Sequence, residues 1–161
     1  MFFFKTNDSW VGLILRIVLG SVIFAHGAQK LLGWFGGQGY AGTMASFTEQ
    51  MGLPWLVAFL VVIGESFGSL NLIAGLLTRF TAASYIGIML GAIATVHWQN
   101  GFFMNWFGRQ QGEGFEFHLL VIAMSAALVV IGGGKWSVDG IIARLFEGRE
   151  ISPQQHKSKA A

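Results

Sequence analysis

The chain contains four apolar stretches, each near the ~20 residues that a helix needs to cross a bilayer core of ~30 Å. They run from Trp10 to Leu32, Pro54 to Leu77, Phe80 to Trp98 and Phe115 to Ile131. In hydrocarbon every backbone N–H and C=O must find its partner within the protein, so spanning segments are helices or closed barrels. Uninterrupted apolar runs of this length fit helices, not short alternating strands. The expected fold is therefore all-α, a four-transmembrane-helix bundle. Pro54 suits the first turn of its helix, where a missing N–H costs nothing, and Gly132–Gly134 form a stop signal after the fourth.

Composition agrees. Of 161 residues, 53% are hydrophobic and 11% charged, against a charged share of about 25% in soluble domains. The net charge is +2, and the basic residues gather at helix ends and the C-terminus. That distribution is no nucleic-acid stripe, and the expected partner is the lipid bilayer, with weak attraction to anionic headgroups. There is no cysteine, which excludes a disulfide, a thiolate nucleophile and a Cys-ligated cluster. Any redox chemistry has to borrow a cofactor or a partner.

Lys5 followed by an apolar run and the small residues Ala25 and Gly27 has some likeness to a cleaved signal. Arg16 interrupts that run, however, and a signal core is shorter and uncharged, so this stretch reads as a span. Lys5, Arg79, Lys135, Arg144, Arg149, Lys157 and Lys159 fall on one side of the four-span layout, and Arg109 alone falls in the two long loops. The positive-inside rule then makes both termini cytoplasmic. The segments "MASFTEQMG", after the first span, and "KWSVDGIIARLFEGRE", after the fourth, suit short interfacial helices. Residues 1–149 are expected to form one transmembrane domain and 150–161 a flexible cytoplasmic tail.

Small residues at four-residue spacing mark packing faces: Gly64/Gly68, Gly87/Gly91 and Ala123/Ala127, with Gly20 and Gly27 on the first span. Against this background the ionisable residues Arg16, His26, Lys30, Glu65, His97, Glu116 and His118 stand out. A charge near the bilayer centre costs about 2.5–3.5 kcal/mol on insertion scales. Glu65 is the deepest, ~16 Å along its helix from Pro54. It should be neutral or paired, with Arg16 and His26 bracketing its depth as partners. Lys30, near the end of its span, can snorkel. Positions 116 and 118 differ by about 200° around a helix. Glu116 shares a stripe with Leu120, Ala123 and Ala127, which favours Glu116 facing inward and His118 facing lipid or a loop. One reading of the set is structural, an Arg16–Glu65 pair that fixes helix register. The other is a polar intramembrane ligand site of Arg16, His26, Lys30, Glu65, His97 and Glu116. No metal site is expected, because no two ligands have a spacing such as His-x-x-x-His.

The segments "RIVLGSVIFAHGAQKLLGWFGGQG", "GLPW", "VVIGESFGSLNLIAGLLTR", "HWQNGFFMNWFG" and "GEGFEFHLLVIAMSAALVVIGGGKWSVD" together resemble the DoxX family of small four-helix membrane proteins, which includes the DoxD-like subunit of thiosulfate:quinone oxidoreductase. The resemblance covers Arg16 to Asp139 and lands on Arg16, His26, Gly27, Lys30, Glu65, Arg79, Gly101 and Glu116. It implies a multi-pass protein of the cytoplasmic (inner or plasma) membrane, associated with redox or oxidative-stress systems. Its members look like partner subunits of oxidoreductases more than stand-alone enzymes, and it transfers no catalytic residue. Three functions follow as expectations. The first is an accessory or quinone-interacting subunit of a membrane oxidoreductase, with quinone the cofactor to look for and a soluble or membrane oxidoreductase the partner. The second is a non-enzymatic scaffold or assembly factor. The third is a small transporter, which would need a homo-oligomer.

Overall fold

The computed structural model describes residues 4–150. Among them there are helices and no strand. Helix α1 spans Trp10–Leu32, the bounds expected from hydropathy. The Ser9 side chain caps it by accepting from the Val11 N–H at 3.1 Å, and Gly33 ends it in the left-handed region at φ 73°. A short 3₁₀ turn, Trp34–Gly36, leads to α2, Gly39–Ala45, which continues as a wider turn over Ser46–Gln50. The helix expected after the first span is present, but it begins at Gly39. The Gly-rich stretch that reads as loop supplies its first turns.

Helix α3 is Trp55–Ala74, starting directly after Pro54. It stops three residues short of the expected Leu77, because Gly75 (φ 71°) and Leu77 (φ 51°) turn the chain sharply into α4, Thr78–Ala92. The α4 helix runs on through a wider turn, Ile93–His97, and a 3₁₀ turn, Trp98–Asn100. Helix α5 is Glu116–Ile131, and α6 is Val138–Glu150. The expected tail, from residue 151 onward, lies outside the described residues.

Trp10–Leu32, Trp55–Ala74 and Thr78–Asn100 are long and apolar enough to cross a membrane; α5 is apolar but shorter, at 16 residues. The chain is a membrane protein of several apolar helices. The long loops 33–54 and 101–115 lie at one end of the bundle, here the loop end. Residues 4–9, the α3–α4 turn and the 132–150 segment lie at the other, the terminal end.

The main packing pairs are α1 with α3 and α4 with α5. On α1 the buried stripe is Gly12, Arg16, Leu19, Gly20, Ile23, Gly27 and Ala28, and on α3 it is Ala58, Val62, Glu65, Ser66, Ser69 and Leu72. A Cβ on Gly27 would lie 2.6 Å from the Glu65 carbonyl oxygen and 2.7 Å from the Ser66 Cα. The two backbones therefore touch there, and the Ser66 hydroxyl donates to the Gly27 carbonyl at 3.1 Å. Leu19, Ile23, Leu72, Tyr85, Met89, Val121 and Leu128 fill the shared core.

Two packing expectations need correction. Nothing lies within 4 Å of a Cβ built at Gly87 or Gly91, so those glycines leave space and do not bring helices together. On α5 the buried face is His118, Val121, Ser125 and Leu128; Leu120 and Ala123 are exposed. The α5 helix is apolar almost all round, so hydropathy alone could not select its inner face.

At the terminal end, arginines tie the bundle shut through carbonyl groups. Arg16 is 2% exposed. Its Nε donates to Gly133 at 2.9 Å, its Nη2 to Lys135 and Trp136 at 3.1 and 3.0 Å, and its Nη1 to Ile73 at the end of α3. Arg79 donates to Lys5, Val129 and Val130 at 2.9, 2.7 and 3.0 Å, satisfying the last turn of α5. Asp139 of α6 accepts from the Leu77 and Thr78 N–H groups at 2.7 and 2.8 Å and caps α4.

Candidate functional site

Lys30 is one turn beyond Gly27 on α1, and Glu65 is on α3 at the same crossing. The backbone contact at Gly27 sets the offset of the two helices, and the result is a pair in which Lys30 Nζ donates to Glu65 Oε2 at 2.5 Å. Glu65 is 5% exposed. Its partner is thus neither Arg16 nor His26. Arg16 lies 14 residues before Lys30, ~21 Å along the helix, with its donors committed to carbonyls at the terminal end. The Arg16–Glu65 pair does not form, and Arg16 stands apart from the other residues of the expected site. Lys30 points in toward the Glu65 carboxylate, with 23% of its side chain left exposed.

The pair borders a cavity of about 440 Å³ in the loop-end half of the bundle, lined in part by Met51, Leu53 and Met104 of the loops. His26, Lys30, Glu65, His97 and His118 contribute its polar wall, and Ile23, Phe47, Val61, Ile88, Met89 and Phe117 much of the apolar one. Gly87 and Gly91 also line it, so the open space beside them is the cavity itself. The His26 ring sits 5.5 Å from the Phe117 ring, and the His97 ring 4.1 Å from that of His118.

His118 is 7% exposed and points inward. The expectation that Glu116 faces inward and His118 outward is reversed. Glu116 Oε1 accepts from the Met104 N–H at 3.1 Å and from the Trp106 indole at 3.2 Å, which fastens the 101–115 loop to the start of α5. Glu113 lines the cavity from this side, with its carbonyl oxygen against His97, while its carboxylate accepts from the Asn105 N–H at 2.6 Å. Sequence reasoning missed Glu113, and it placed His118 on the wrong face. Ser125, seven residues after His118 and fully buried, was the signal available, since two polar residues two turns apart mark one face.

The hydrogen bonds of the histidines show what the cavity offers. His97 Nδ1 is 2.7 Å from the Glu113 carbonyl oxygen. A carbonyl only accepts, so Nδ1 carries a proton and donates it, and Nε2 is left for another partner. His118 Nδ1 is buried and has no hydrogen-bond partner. Buried polar atoms are rarely left so. Among the described residues no group of three or more His, Asp or Glu side chains is placed to hold a metal ion. The cavity offers a polar group hydrogen-bonding partners on one wall and apolar contact on the other. Such a group would meet imidazole donors and acceptors and a lysine–carboxylate pair.

The chain is 28% identical over 138 residues to "Putative oxidoreductase CatD" of Bacillus subtilis (strain 168), covering 86% of this chain and 89% of that one. It is also 28% identical over 132 residues to "Inner membrane protein YqjF" of Escherichia coli (strain K12), covering 82% and 92%. No solved structure matches. The DoxX family model matches residues 11–98, which take in all but the first residue of α1, the whole of α3 and α4, and the cavity residues His26, Lys30, Glu65 and His97. The chain belongs to the DoxX family.

Proposed function

We propose that this protein is an accessory subunit of a membrane oxidoreductase system that binds a quinone-type head group in the cavity at its loop end. The observation that carries this reading is the buried, unpartnered His118 Nδ1 in an aromatic-walled cavity beside the Lys30–Glu65 pair. A quinone carbonyl satisfies an imidazole N–H, and the pair with the flanking histidines supplies groups able to move protons. The chain has no cysteine, so electrons come from a partner, a role in keeping with the oxidoreductase name of one relative. Single removal of cavity groups tests it directly.

In this reading α1, α3, α4 and α5 cross the cytoplasmic membrane four times, with α5 reaching the second interface through its aromatic flank. Lys5, Arg79, Lys135 and Arg144 put the terminal end in the cytoplasm. The helices α2 and α6 then lie along the interfaces, and the cavity opens toward the outer leaflet.

The experiment is quinone titration of the full chain in nanodiscs, followed by tryptophan fluorescence. A chain-bearing benzoquinone should bind with a Kd in the micromolar range, at least tenfold weaker in His118→Phe. No binding by the wild-type protein overturns the proposal. A scaffold role without a ligand is the reading that would then remain, favoured by the exposed Trp98, Phe103, Trp106 and Phe107 at the loop end.

A further inference from the structure

A second hollow, of about 470 Å³, lies between α3 and α4. It differs from the first in character and position. Its rims, Leu60, Phe67 and Phe80, are each more than half exposed on the outside of the bundle. In a membrane protein that surface faces hydrocarbon. Gly64 and Gly68 line its α3 wall. A Cβ at Gly64 would meet nothing but the end of the Ile88 side chain, at 3.1 Å, so the missing side chain there widens the groove.

The groove and the polar cavity share two wall residues, Val61 and Ile88. One side of this shared boundary has histidines and the Lys30–Glu65 pair; the other is mainly apolar, with Asn71, Thr81, Ser84 and Tyr85 its polar members and no charged side chain. Because α3 packs chiefly on α1, and α4 on α5, the α3–α4 seam is looser than either of those two packings. The two hollows therefore lie back to back across Val61 and Ile88, a polar chamber beside an apolar groove at the outer surface of the bundle.

We infer that the ligand is an amphiphile with one long apolar chain: its head occupies the cavity, and its chain passes Val61 and Ile88 into the α3–α4 groove and out to the acyl region. This rests on the head-group reading above and adds the ligand's class and its route, which is lateral, from the bilayer. Burial of the chain would be favourable if it came out of water, but from lipid that term vanishes. The groove therefore contributes by shape. It orders the chain next to Gly64 and fixes the angle at which the head enters.

The test compares two probes in nanodiscs of phosphatidylcholine: a dimethoxy-methyl-benzoquinone head alone, and the same head with a decyl chain ending in a photoreactive diazirine. With affinities referred to the probe concentration in the lipid phase, the chain-bearing probe should bind at least tenfold more tightly than the bare head. Illumination of the wild-type protein should label peptides of α3 and α4 that carry Phe67 and Phe80. Gly64→Leu should reduce the affinity ratio of the two probes to near one. Labelling elsewhere, or equal affinity of both probes for the wild type, overturns the groove and leaves the head site standing. If neither probe binds, the head site and the groove fall together. If Gly64→Leu instead converts a dimer to a monomer with the ratio unchanged, the groove is a contact between two copies and the inference is overturned.

Discussion

Lys30 and Glu65 meet at 2.5 Å one helical turn past the point where Gly27 lets α1 and α3 touch backbone to backbone. Position and pairing are one fact: the contact at Gly27 brings the two charges together, and the charges hold the crossing in register. Glu65→Gln or Lys30→Met alone leaves a buried partner uncompensated and should cost about 3–5 kcal/mol. The double variant should recover most of that loss. Thermal unfolding in detergent of the two singles and the double measures the coupling.

Gly27→Leu should be among the most damaging changes in the chain, since even a methyl there runs into backbone and not into the end of a side chain. Overpacking of this kind costs about 1–3 kcal/mol or more. Gly87→Ala should have the opposite sign, because its added Cβ meets open space and helix propensity improves by roughly 0.5–1 kcal/mol. Melting temperatures of the two variants check the contrast.

Gly87→Leu should separate folding from binding. The larger side chain fills the cavity without touching the α1–α3 contact, so the melting temperature should hold while quinone affinity falls at least tenfold, about 1.4 kcal/mol. An unchanged affinity would show that the ligand does not use this wall.

Arg16→Leu should destabilise by about 3 kcal/mol or more, because carbonyls of Ile73, Gly133, Lys135 and Trp136 lose their donor. Arg16→Lys should recover only part, since an ammonium lacks the planar fork that reaches several carbonyls at once. The folded fraction of either variant should bind quinone as the wild type does. Reduced affinity in folded Arg16→Lys would place Arg16 back in the site.

The apolar helices were legible because hydropathy is a property of each segment alone, and α1 kept its expected bounds to the residue. The pairing of ionisable groups was not, because it depends on the offset between two helices. Depth along the axis pointed from Glu65 to Arg16 and His26; the Gly27 contact slides α3 so that Lys30 arrives instead. The choice between Glu116 and His118 failed for a related reason. Where nearly every direction around α5 is apolar, a small-residue stripe such as Ala123/Ala127 carries little information, and Ser125 carried more. The glycines at 64 and 87 both border hollows whereas Gly27 sits against backbone, and only coordinates distinguish a gap that is closed from one that stays open.

The carboxylate of Asp139 closes the first turn of α4 from 61 residues downstream, and the Gly133 carbonyl that Arg16 reaches is 117 residues away from it. A ribosome that has just finished the third span has therefore made neither clasp. The emerging protein must wait, half assembled in the insertion machinery, until its final helix has left the exit tunnel, and truncation anywhere before residue 139 should yield an open bundle prone to quality-control proteolysis.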